Sequence, residues 1–148
     1  MMRRVETGDS HVGEVPLELF QGEAFKEKRY LDRAAEIVFQ GVDTLSVSKD
    51  EPIHICPGYI LSTARDSLKD NGFKTTQKKI KGATQELAER AFISSLVRLG
   101  VGDEEWVAEI RSFDSFLDWV HTDLQSRERF VKTGWSSWPR LRREGRQR

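Results

Sequence analysis

Cysteine is almost absent from this chain of 148 residues: Cys56 is the only one. That excludes an intramolecular disulfide and any multi-cysteine zinc site. No apolar run approaches the roughly 18–20 residues needed to span a bilayer. The start, Met1-Met2-Arg3-Arg4-Val5-Glu6, lacks the apolar stretch of a signal peptide. The sequence therefore predicts a cytoplasmic chain with no membrane partner. There is no Walker A loop, no dinucleotide fingerprint and no internal repeat. Histidine is scarce too, with only His11, His54 and His121, so no ready metal set is present and no cofactor is named.

Net charge is also missing, since 24 basic residues meet 24 acidic ones. The balance hides a segregation. Residues 139–148 hold five arginines and one glutamate, a net of +4, which leaves 19 basic and 23 acidic residues, or −4, on residues 1–138. A like-charged block with little apolar content does not offset its ordering entropy. The expected organisation is a flexible leader over 1–11, one α/β domain with a C-terminal helical cover over 12–138, and a basic flexible tail over 139–148.

Period-two alternation of Val15, Leu17 and Leu19 with Glu14, Pro16 and Glu18 predicts a half-buried strand, placed at a sheet edge by Pro16. An apolar stripe from Phe25 to Phe39 predicts a helix over 23–40, with Gly41 as its left-handed stop. Residues 53–56 read as an inner strand, and Pro57-Gly58 opens a helix that Asn71-Gly72 closes. A weaker strand over 73–80 leads to the clearest helix, 84–99, stopped by Gly100-Val101. Residues 103–131 read as helical with one break, capped at Ser112 or Asp114. The fold class expected is α/β: a small, mostly parallel three-stranded sheet in the order β-α-β-α-β-α, with C-terminal helices. Three strands are few, so the sheet is either small or completed by a partner, as a homo- or hetero-oligomer.

Two segments carry candidate chemistry. At the turn Ile55-Cys56-Pro57-Gly58-Tyr59, a strand end meets a helix start, where free N–H groups favour an anion. Cys56, Gly58, Ser62 and Thr63 are the candidate ligand-binding residues there. A helix N-terminus also lowers a thiol pKa, whereas the plainer reading makes Cys56 a small buried hydrophobe and Pro57 a good first helical residue. His54 and Cys56 share a strand face, but a third metal ligand is missing.

The second segment is the C-terminal end. Lys132, Trp135, Trp138, Arg140, Arg142, Arg143 and Arg146 combine aromatic faces with phosphate-binding cations, a pattern suited to nucleic acid. The competing reading packs both tryptophans inward and leaves the arginines as solubilising charge. Carboxylates such as Glu23, Glu27, Asp32, Glu36, Glu86 and Glu89 read mostly as solvated helix faces, and no pair stands out.

The order of helices and strands over 23–99 resembles the second half of ribonuclease H-like domains. The stretches Ile53-His54-Ile55-Cys56-Pro57-Gly58-Tyr59, Gln85-Glu86-Leu87-Ala88-Glu89 and Arg129-Phe130-Val131-Lys132-Thr133-Gly134-Trp135 are also similar to an uncharacterised archaeal protein family. The resemblance spans about residues 15–138. It implies a degenerate or shortened module more than an active enzyme, because Cys56 ends a strand where such nucleases carry an acid. The functional expectation, from the +4 end beside Trp135 and Trp138, is a non-catalytic or degenerate α/β module that contacts nucleic acid through its basic C-terminus. The alternatives are a metal-dependent nuclease, with Glu86 and Glu36 as first candidates, and a subunit of a larger assembly.

Overall fold

The computed structural model describes residues 1–110 and 112–144. Of the described residues 58% are helix and 8% strand, with two separate two-stranded sheets among them, so the three-stranded α/β expectation is wrong. The lost strand is the one expected from Val12 onward. Val12–Pro16 joins no ladder, and Leu17–Phe20 coils into a 3-10 turn. Alternation marks extended chain, but a strand also needs a neighbour, and Pro16 supplies no donor for one. The ribonuclease H-like second half falls with that sheet.

By its contacts the chain divides into two compact units, Met1–Val15 with Tyr30–Phe92, and Pro16–Arg29 with Ile93–Arg148. In the first unit, β1 (Met2–Arg3) and β2 (Ser10–His11) form an antiparallel hairpin where a frayed leader was expected. Its turn uses Gly8 at φ 82°, a conformation open to glycine at little cost. Arg4 fastens the hairpin by donating to the carbonyls of Leu45 (2.8 Å) and Ser46 (3.2 Å) and by pairing with Glu51. Those carbonyls lie at the end of α2 (Arg29–Thr44), where a cation also complements the helix dipole.

The helix expected over 23–40 is two helices, α1 (Gly22–Lys26) and α2, broken at Lys28, which holds φ 59°. Gly41 does not stop α2. It is buried inside it, and a Cβ there would lie 3.0 Å from Met2 Sδ and 3.1 Å from His11 Cδ2. The hairpin thus rests directly on the helix backbone. The real stop is Ser46 at φ 50°, with Val47 N–H bonded back to the Val42 carbonyl (2.9 Å).

Next come β3 (Pro52–Ile55), α3 (Ser62–Asp70) and β4 (Lys74–Gln77), with β3 and β4 parallel in the register Ile53–Thr75 and Ile55–Gln77. Ile53 and Ile55 point into a core with Ala35, Val42, Ala64 and Leu68, while Pro52 and His54 face outward. Leu68 is fully buried. The stop at Asn71-Gly72 forms as expected, with Gly72 at φ 82° and Phe73 N–H bonded to the Leu68 carbonyl. The long helix α4 (Ala83–Arg98) follows, and the chain passes into the second unit within it.

The second unit adds α5 (Glu104–Glu109), α6 (Phe113–Thr122), α7 (Leu124–Arg127) and α8 (Trp138–Glu144). Side chains of Asp103, Ser112 and Asp123 cap the first three by accepting N–H bonds three residues on. Val120, Trp138 and Leu141 form the core, flanked by Leu117, Trp119, Leu124 and Val131. Arg127 lies 4.4 Å over the Trp119 ring, and Trp119 meets Phe130 edge-on at 5.4 Å. Residues 138–144 are thus helical, where a flexible tail was expected from 139.

Candidate nucleic-acid interface

The C-terminal candidates divide into those the second unit uses internally and those it exposes. Trp138 is only 4% exposed, and its indole N–H donates to Glu128 at 2.7 Å. Arg142 Nε donates to the same Glu128 oxygen at 2.8 Å, and this bond raises the guanidinium pKa. One carboxylate thereby receives both a tryptophan and an arginine. Arg140 pairs with Glu144 one helical turn on, at 2.9 Å. Arg143 is exposed and has no ion pair among the described residues. Arg146 and Arg148 lie outside them.

Trp135 and Lys132 behave differently. Trp135 is 42% exposed and meets Phe113, 59% exposed, edge to face at 6.4 Å. Lys132 is exposed, with its amine 5.5 Å from the Phe20 ring. The bend between them is closed by a bond from Trp135 N–H to the Lys132 carbonyl (3.0 Å). Gly134 sits inside this bend because a Cβ there would come within 2.6 Å of Phe25 Cβ. The sequence pointed to Trp135 but not to Phe113, since only the folded chain joins residues 22 positions apart.

In the first unit, Cys56 and Gly58 are exposed at the end of β3, and Ser62 and Thr63 are half-buried in the first turn of α3. Pro57 does not open that helix; a 3-10 turn at Tyr59–Leu61 precedes it. What shapes the turn is a residue the sequence did not single out. Arg65 is only 9% exposed, and its Nη1 donates to the carbonyls of Cys56 (3.0 Å) and Gly58 (2.9 Å). An arginine within a helix reads locally as a solvated charge, so only the tertiary turn reveals it.

The carboxylates do not gather. Glu36 pairs with Arg33 at 2.8 Å, and Glu86 is exposed in the first turn of α4. His54 is exposed beside Cys56, and the His121 ring bonds the Leu141 carbonyl at 3.0 Å. Among the described residues no three His, Cys, Asp or Glu side chains are placed to hold a metal ion. No helix among them is long and apolar enough to cross a membrane.

No protein-family model matches the chain, and neither a curated protein nor a solved structure matches it.

Proposed function

We propose that this chain is a non-catalytic nucleic-acid-contacting module that engages unpaired bases through its second unit. The observation that carries the reading is the exposed Phe113–Trp135 pair beside Lys132. Aromatic faces stack on any unpaired base, and neighbouring cations meet the phosphates. The interface differs from the one expected from sequence. Trp138 and Arg142 hold the unit together, whereas Trp135, Phe113, Lys132 and Arg143 face solvent.

Fluorescence anisotropy with a labelled oligothymidylate and a duplex of equal length tests this at about 50 mM salt, where backbone contacts are strong. The single strand is expected to bind more tightly. Trp135→Ala is expected to weaken it roughly 5- to 150-fold, from about 1–3 kcal/mol per stacked base. A wild-type chain that ignores both ligands, or a variant that binds as well as wild type, overturns the reading.

A further inference from the structure

The geometry points to a second polyanion surface in the first unit, the outer side of the β3–β4 ribbon and the turn after it, which takes the phosphodiester backbone of a nucleic-acid strand. Residues 74–81 contain four lysines and no acid. Lys74 approaches Asp50 at 3.5 Å across an exposed gap. Lys78, Lys79 and Lys81 are exposed and have no ion pair among the described residues.

A second observation concerns Arg65. Buried cations are ordinarily compensated by a carboxylate. Arg65 has only the carbonyls of Cys56 and Gly58, with no carboxylate in ion-pair range among the described residues. Its guanidinium is fixed at the carboxyl end of β3, and Lys78 reaches that end too, its backbone N–H bonding the Ile55 carbonyl at 2.9 Å. The buried Arg65 guanidinium and the backbone of Lys78, where the lysine run leaves the strand, therefore both sit at the carboxyl end of β3. The next acid along the chain, Glu86, lies in the first turn of α4, where it complements the helix dipole.

Shape selects the ligand class. Parallel strands normally have both faces covered, yet His54 and its register partner Thr76 are exposed on the open side. Lys74 and Lys78 are four residues apart along extended chain, about 13 Å at the usual strand rise. One tetrahedral anion does not reach both ends of that run, whereas a strand of successive phosphates does.

This inference rests on the proposed function for the identity of the polyanion, and the test separates the two. The full-length chain and its K78A/K79A/K81A variant are titrated with oligothymidylate over a salt series, with lysine acetylation footprinting in parallel. The variant is expected to fold unchanged and to lose about two units of log–log salt slope, at roughly 0.7 per phosphate on a single strand. The oligonucleotide is expected to shield all three lysines from acetylation, and K78R/K79R/K81R is expected to restore the slope. Wild-type binding with an unchanged slope in the alanine variant and no shielding overturns this surface while leaving Trp135 in place. Equal affinity for polyglutamate at the same ionic strength overturns the phosphodiester assignment. No oligonucleotide binding by wild type removes both readings.

Discussion

The two units treat positive charge in opposite ways. The second unit has an arginine-rich end, yet Glu128 ties Arg142 to the Trp138 anchor and Glu144 pairs with Arg140 on the exposed face of α8. The first unit has a less conspicuous lysine run, and Lys78, Lys79 and Lys81 are left to solvent. The cores differ in the same sense. Aliphatic Leu68, Ala64, Ile53 and Ile55 build the first, and Trp138 with its hydrogen bond to Glu128 anchors the second. Among the described residues, a linear charge count therefore does not tell which cations the fold pairs and which it leaves to solvent.

Core truncation should produce the largest effect on this contrast. Trp138→Ala is expected to cost about 3–5 kcal/mol and Leu68→Ala about 2–5 kcal/mol. Amide exchange should locate the first loss in α6 and α8 and the second in α3, β3 and β4. Identical exchange patterns for the two variants would mean that the cores do not differ as described.

A smaller effect distinguishes neighbouring arginines. Arg142→Ala should lower the melting temperature because it strips Glu128 of a charged donor, while Arg143→Ala should leave melting unchanged and weaken oligonucleotide binding. Thermal melts and anisotropy on both variants check this, and reversed outcomes would erase the division between bracing and exposed cations.

The smallest effect is a pH dependence in the first unit. The hydrogen bond from Arg4 holds Glu51 below the usual carboxylate range, with the Ser48 backbone N–H adding to it. A lowered carboxyl pKa stabilises the fold above the unfolded value of about 4.3, and that contribution is lost as pH falls through the folded value. The gap in melting temperature between wild type and Glu51→Gln should be full at neutral pH and close in acid. A gap that persists in acid would assign the strap's contribution to something other than charge.

Local signals in the sequence were reliable where the physics is local. Asn71-Gly72, Gly100-Val101 and Ser112 stop or cap helices as their residue types demand. The failures share a long-range cause. Val15-Pro16-Leu17 alternates like a strand but has no partner, and Gly41 resembles a helix stop but accommodates Met2 and His11 instead. Trp135 was readable as a candidate from its basic neighbourhood. Its partner Phe113, the bracing role of Glu128 and the turn-holding role of Arg65 all depend on contacts across sequence distance. The lysines at 74–81 are plain in the sequence, but the pairing of Lys74 with Asp50 and the exposure of the other three depend on the fold.

Gly41 carries a consequence for anyone redesigning this chain. Propensity tables rank a mid-helix glycine as the first residue to replace with alanine, for a nominal gain of about 0.5–1 kcal/mol. Here a methyl would come within 3.0 Å of Met2 Sδ and 3.1 Å of His11 Cδ2, so both side chains of the amino-terminal hairpin would have to give by a few tenths of an ångström. Thermostabilisation that follows tables alone would set a gain in helix propensity against the packing of the segment that Arg4 straps down, and the yield of those two side chains decides the balance.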